Sequence, residues 1–227
     1  MKTIFKLKFA KPLIFALTLT SLLSCSKIDD PVIVEGDAKL RVVNAVSGSN
    51  PQEVYQDGTK ISTSSISYAQ STDYLKVKGG VTTVLALRNE NSTNITTNSI
   101  VGLNVNGSYT AFYYSSLGGN GKIGLLMDDT SIPATGKSKV RFVNLGAALN
   151  NTINVGIVGG SSIFTGLGYE NASNYQIIDA NTSLNVTVLG GDTKVIPGSE
   201  FQSGKTYYVW IDAANSTSVN YHLVAQN

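Results

Sequence analysis

Ala38-Lys39-Leu40-Arg41-Val42-Val43-Asn44 returns one hundred residues later as Ser138-Lys139-Val140-Arg141-Phe142-Val143-Asn144, and this recurrence decides how the rest of the chain is read. The correspondence extends outward from the two runs. Tyr68 and Tyr74 match Tyr169 and Tyr175 with the same spacing, and Gly107-Ser108-Tyr109-Thr110 matches Gly204-Lys205-Thr206-Tyr207 with one residue of slippage. The chain therefore carries two copies of one unit. Solenoid repeats recur every 20 to 50 residues or so, and a period near 100 indicates tandem domains instead.

Within each unit, short runs rich in Val, Ile, Thr and Tyr alternate with clusters of Gly, Asn and Ser, the pattern of an all-β sandwich. Strands are expected near Lys39 to Val46, Glu53 to Gln56, Thr59 to Ser62, Asp73 to Val77, Thr82 to Arg88, Ser108 to Ser115 and Lys122 to Met127. In the second unit they are expected near Lys139 to Leu145, Thr152 to Val158, Asn174 to Asp179, Leu184 to Leu189, Thr206 to Asp212 and Val219 to Ala225. Asp57-Gly58 lies between Val54-Tyr55-Gln56 and Thr59-Lys60-Ile61 and tolerates positive φ at both central positions, so a type I′ hairpin is expected. No stretch beyond the N-terminal segment shows sustained helical periodicity. The fold expected is all-β, with two tandem immunoglobulin-like or transthyretin-like β-sandwich domains after a cleaved signal peptide. The boundaries expected are 38–129 for the first sandwich, 130–137 for a linker marked by Pro133 and Gly136, and 138–227 for the second.

The Lys-x-Arg-x-Val-Asn opening of both units, the Glu53-Val54-Tyr55-Gln56-Asp57-Gly58 hairpin and the Gly-x-Tyr-Thr near the end of unit one resemble the bacterial domain-of-unknown-function family DUF4397. The resemblance spans nearly all of residues 38–227 and implies a secreted or surface β-sandwich module. It brings no reaction and no catalytic residues. Unit two departs at the hairpin, where Gly159-Gly160 replaces Asp-Gly.

The N-terminus speaks to location. Lys2, Lys6, Lys8 and Lys11 precede an apolar run from Pro12 to Leu23, the order of a secretory signal. The run is shorter than the ~20 residues of a membrane span and gives way to Lys27, Asp29 and Asp30. Leu22-Leu23-Ser24-Cys25 resembles the lipobox of bacterial lipoproteins, which implies a signal peptide over 1–24, cleavage before Cys25, acylation of its thiol and a lipidated spacer over 25–37. Palmitate-type chains contribute roughly 0.8 kcal/mol per buried methylene, so two or more make a stable anchor. Lys27-Ile28-Asp29-Asp30 also resembles the acidic export signals of Bacteroidetes surface lipoproteins; a solvated linker explains it equally well. Cys25 is the only cysteine, so no intrachain disulfide can form.

The chain is formally +2, with 17 basic and 15 acidic residues. Residues 1–24 hold four lysines and no acid, so the remaining 203 residues carry 13 against 15, a net −2. No basic stripe remains to follow phosphates, and nucleic acid is not an expected partner. The single histidine, His222, has no second histidine or thiol to complete a triad or a zinc site, so a structural role is expected. Gly119-Asn120-Gly121-Lys122-Ile123-Gly124 matches a dinucleotide fingerprint in letters but opens no helix and reads as a glycine-rich β-turn. Asp128-Asp129 lacks acids at alternate positions and reads as solvated linker rather than a calcium site. The loops Asn89 to Asn98 and Asn171 to Asn174 read as turns. No catalytic residue, metal or cofactor is expected.

The aromatic runs Tyr109-Thr110-Ala111-Phe112-Tyr113-Tyr114 and Tyr207-Tyr208-Val209-Trp210 are apolar on both faces. One face is core; the other is an inter-domain contact or, alternatively, a platform on which Tyr113, Tyr208 and Trp210 stack on sugar rings. The expected function is a non-enzymatic envelope lipoprotein, anchored at the outer membrane through Cys25 and acting as a surface interaction or structural module toward an envelope protein. The alternative is a glycan-binding lipoprotein that assists polysaccharide capture. Replacing Cys25 by Ser is expected to abolish palmitate incorporation in labelled cells and to misroute the protein; undiminished labelling would refute the anchor.

Overall fold

A computed structural model describes residues 34–227; the signal segment, Cys25 and most of the spacer lie outside the described residues. The first repeat contributes β1 (Gly36–Asn44), β2 (Gln52–Gln56), β3 (Thr59–Lys60), β4 (Leu75–Gly79), β5 (Thr82–Asn89), β6 (Ile95–Gly102), β7 (Ser108–Ser115) and β8 (Gly121–Met127). The second contributes β9 (Lys137–Asn144), β10 (Ile153–Ile157), β11 (Ser162–Leu167), β12 (Gln176–Asp179), β13 (Leu184–Val188), β14 (Thr193–Ile196), β15 (Thr206–Ala213) and β16 (Val219–Ala225). One 3-10 turn, Gly198–Glu200, interrupts the second set.

The two repeats are the same object. Repeat one forms sheets of order β4-β1-β7-β8 and β3-β2-β5-β6, and repeat two forms β12-β9-β15-β16 and β11-β10-β13-β14, strand for strand. In each, the opening strand runs parallel to the seventh (β1 with β7, β9 with β15) while the other pairs are antiparallel. The fold is all-β, as expected, in two sandwich-like domains. Asp57 and Gly58 take φ of 48° and 81°, the backbone a type I′ turn requires.

Each sandwich closes over its own core. In repeat one, Leu40, Val42, Val54, Leu85, Leu87, Tyr109 and Ala111 meet between the sheets; in repeat two, Val140, Phe142, Ile153, Val186, Tyr207, Val209 and Ile211 do so. The last residue of the repeated signature completes each core. Asn44 is buried, donates from Nδ2 to Ile66 O at 3.1 Å and accepts from Val46 N at 3.1 Å. Asn144 repeats this with Leu167 O and Gly146 N, both at 3.0 Å. A buried amide that satisfies two backbone groups pins the turn leaving the first strand.

Three strands were not anticipated: β6, β11 and β14. β6 begins inside the Asn89–Asn98 stretch read as a turn, because Thr97, Ser99 and Val101 face the sandwich while Asn98 faces out, and pairing with β5 overrides the loop-like composition. The Asp128-Asp129 pair is not solvated linker either. Asp128 is buried and accepts from Tyr74 Oη at 2.6 Å and Thr110 Oγ1 at 3.2 Å, and Lys139 Nζ lies 2.8 Å from Asp129 Oδ2.

Asn144→Ala leaves the Leu167 carbonyl and the Gly146 amide buried without partners and is expected to cost about 1–3 kcal/mol, read as a lower urea midpoint at unchanged m value. An unchanged midpoint would contradict the role given to the signature asparagine.

Candidate functional site

Strands alternate their side chains between two faces, and in β1, β7, β9 and β15 both faces are apolar. The face turned away from each core holds Val43, Ala45, Phe112 and Tyr114 in repeat one, and Val143, Leu145, Tyr208 and Trp210 in repeat two. These side chains form one continuous buried cluster, with Tyr68, Leu126, Tyr169, Ala172, Tyr175 and Val224 packed against it. The β4-β1-β7-β8 sheet therefore lies face to face with the β12-β9-β15-β16 sheet, and the chemistry-bearing residues collect in the seam between them.

The seam is built from reciprocal contacts. Arg41 donates to the Ala225 carbonyl at the end of β16, and Arg141 reaches the Met127 carbonyl at the end of β8 at 3.5 Å. Met127 and Ala225 occupy the same register position, opposite Tyr109 and Tyr207. Arg41 also lies 4.3 Å over the Tyr74 ring, as Arg141 lies 5.2 Å over Tyr175. Tyr68 crosses into repeat two, where its hydroxyl donates to Asp212 Oδ2; Tyr169 crosses into repeat one and donates to the Ser115 carbonyl. Such pairing of like residues across a two-fold relation is the isologous interface of a homodimer, here formed within one chain.

The two ends of the seam differ chemically. At one end His222 lies flat on Trp210, with centroids 3.9 Å apart and planes within 14°, and Tyr68 packs edge-on to both rings. Tyr68 Oη lies 3.2 Å from His222 Nε2, and that nitrogen is 3.7 Å from Asp212 Oδ1, beyond hydrogen-bond reach. Burial pushes the Asp212 carboxyl up, but His222 and Tyr68 outweigh it and hold it below the usual carboxylate range. At the other end Tyr114 and Tyr169 meet edge-on, and Lys122 Nζ bridges the domains to Glu170 Oε1 at 2.7 Å. Along the edge, burial holds the Asp128 carboxyl above its usual range despite the hydrogen bonds from Tyr74 and Thr110.

The aromatic residues singled out as a stacking platform are placed otherwise. Tyr208 and Trp210 are 0% exposed in the seam, and Tyr113, at 5%, belongs to the core of repeat one. Their faces cannot take a sugar ring, because the partner domain or the opposite sheet already covers them; the inter-domain alternative holds. Cys25 lies outside the described residues. His222 joins the seam cluster. Tyr68, Tyr169, Arg41 and Arg141 were not foreseen as contact residues, although their recurrence at matched positions was visible. Among the described residues, no group of three or more His, Cys, Asp or Glu side chains is placed to hold a metal ion.

Tandem β-sandwiches fused through a pseudo-two-fold seam define the class of protein. The chain belongs to the family described as "Domain of unknown function (DUF4397)", whose model matches residues 38–154, 117 of the 227. No curated protein matches it. Among solved structures, it is similar to a carbohydrate-binding module of family CBM26 from Eubacterium rectale in complex with maltoheptaose, at TM-score 0.28 and 11% identity over 84% of this chain and 98% of that one. It is also similar to a fimbrial assembly protein from Parabacteroides distasonis, at TM-score 0.22 and 13% identity over 86% and 100%. At such scores neither likeness bears on this chain's ligands or partners.

Lys139, then Ser131, pull the Asp129 carboxyl down to about 2 from an ordinary 3.8. A depressed carboxylate stabilises the folded state above its unfolded value and loses that contribution as pH falls through the folded one. Asp129→Asn is expected to flatten the decline of the melting temperature between pH 3.8 and about 2. A decline as steep as that of the unaltered protein would show that the Asp129–Lys139 pair is not coupled to folding.

Proposed function

We propose that the protein is a non-enzymatic structural or interaction module of the cell envelope, held at the outer membrane through lipid on Cys25 and presenting its outer sheets to an envelope protein. The observation that carries this reading is the seam: the inner sheets of both domains are spent on each other, which joins the repeats into one body and leaves the outer sheets free. The lipobox resemblance at Cys25 supports the anchor, and the family resemblance is compatible with a surface module.

The outer face of the β3-β2-β5-β6 sheet has the character of a contact surface. Val84 and Ile100 are cross-strand partners pointing outward, and Ile100 is 75% exposed. Beside them the Arg88 guanidinium lies 4.1 Å over the Tyr55 ring, and Glu53 Oε1 holds Lys60 Nζ at 2.5 Å. Exposed aliphatic side chains next to an arginine–tyrosine stack combine apolar area with oriented polar groups, the composition of interface centres.

A photo-crosslinking residue at Ile100 in cells is expected to trap an envelope protein, and Cys25→Ser is expected to remove the adduct by displacing the module. Absence of any adduct from both Ile100 and Val84 would overturn the assignment of this face.

A further inference from the structure

Lys39 and Lys139 hold the same place in the repeated signature and point, with Arg41 and Arg141, to the seam side of their sheets. Lys139 is covered by the segment that joins the repeats. Its Nζ lies 2.8 Å from Asp129 Oδ2 and donates to Ser131 Oγ at 2.5 Å and to Ser131 O at 3.3 Å. The Asp129 amide in turn donates to the Tyr175 hydroxyl at 3.1 Å. The Lys139 side chain is left 9% exposed.

Lys39 has no such cover. The residue in the place of Asp129 is Asn227, since Asp128 and Gln226 before them make the same backbone bond, to Ser108 O and Thr206 O. Asn227 stays on its own repeat, where its Oδ1 accepts from Thr206 N and its Nδ2 donates to Gly204 O. Lys39 is exposed, and among the described residues no carboxylate pairs with it. An open cleft of about 620 Å³ surrounds it, lined by Asp37, Ala38, Lys39, Tyr74, Lys76 and Asn106. Lys76 stands directly opposite Lys39 on β4, where repeat two has Ile177 opposite Lys139. Like charges at facing cross-strand positions repel. Asp37 pairs with Lys76 at 2.8 Å, both side chains well exposed, so the cleft keeps two cations against one anion and Lys39 is the unpaired one.

We propose that this cleft binds an extended acidic segment of a partner protein, of the Asp-x-Ser kind that the linker presents to Lys139. The incoming carboxylate pairs with Lys39, and the hydroxyl two residues on accepts from the same ammonium. A backbone amide of the segment donates to the Tyr74 hydroxyl as Asp129 does to Tyr175; Tyr74 Oη spends its proton on Asp128 and keeps a lone pair for this bond. Lys76 in the place of Ile177 adds a second cation, which favours a segment with further acid beside the first. The cleft lies on the β4-β1 corner of an inner sheet, apart from the outer-sheet face around Ile100, so loss of either contact leaves the other intact.

The test uses the mature chain, residues 25–227 with Cys25→Ser to keep it in solution, and the capped peptide Asp-Asp-Thr-Ser-Ile-Pro, the sequence of residues 128–133. Titration followed by amide NMR is expected to give saturable shifts at Lys39, Tyr74 and Lys76 and none at Lys139, whose place is filled. Lys39→Gln is expected to weaken binding roughly tenfold or more, with no change in melting temperature because the side chain is exposed. Replacing both aspartates of the peptide by asparagine is expected to weaken it as much and leaves the protein untouched. The proposal is overturned by the absence of saturable shifts, by equal binding of a peptide with the same residues in scrambled order, which would be charge attraction alone, or by Lys39-dependent dimers without peptide, which would make a second copy the occupant.

Discussion

Everything in this molecule depends on the burial of a second apolar face on the strands that open and nearly close each repeat. A two-sheet sandwich needs only one such face per sheet, so a lone copy would leave Val43, Phe112 and Tyr114, or Val143, Tyr208 and Trp210, against water. Patches of that kind are rare on stable monomers and mark association sites. The tandem repeat answers the constraint within the chain: each copy is the partner the other requires. The reciprocal arginines and tyrosines then fix orientation, since each reaches a backbone or side-chain acceptor that only the two-fold arrangement supplies.

Duplication also let the two ends of the seam diverge. One end became a polar-aromatic cluster, in which His222 stacks on Trp210 and the Tyr68 hydroxyl meets both Asp212 and His222; the other kept aromatic packing from Tyr114 and Tyr169 and closed with the Lys122–Glu170 bridge. Such changes are tolerated because the seam's energy is spread over many aromatic and aliphatic contacts, each edge-on ring pair contributing about 0.5–1.5 kcal/mol beyond its burial. The asymmetry gives otherwise equivalent domains different surfaces.

Much of this was legible in the chain. The seven-residue recurrence predicted two copies, Asp57-Gly58 predicted its turn, and the period-two pattern of Tyr207 to Asp212 predicted opposite faces for Tyr207 and Tyr208. Edge strands were the weak point: β6, β11 and β14 pair on one side only, β6 and β11 are rich in Ser, Thr, Asn and Gly, residues that serve strands and turns alike, and β14 is only the four residues Thr193-Lys194-Val195-Ile196. The second face of the aromatic strands was open to two readings, because alternation states that a residue points away from its own core but not what covers it. Tyr68 and Tyr169 recurred at matched positions, yet recurrence alone does not separate a core tyrosine from one that crosses to another domain.

The central claim, that the seam joins the repeats into one cooperative body, is tested most directly by equilibrium unfolding followed with two probes. Trp210 is the only tryptophan and reports the seam, while amide signals of Val54 and Leu87 report the core of repeat one. The account predicts blue-shifted Trp210 emission in the native state and one transition, with both probes coincident in urea. Native emission at the wavelength of water-exposed indole, or Trp210 exposure in a transition well separated from loss of the Val54 and Leu87 signals, would contradict it.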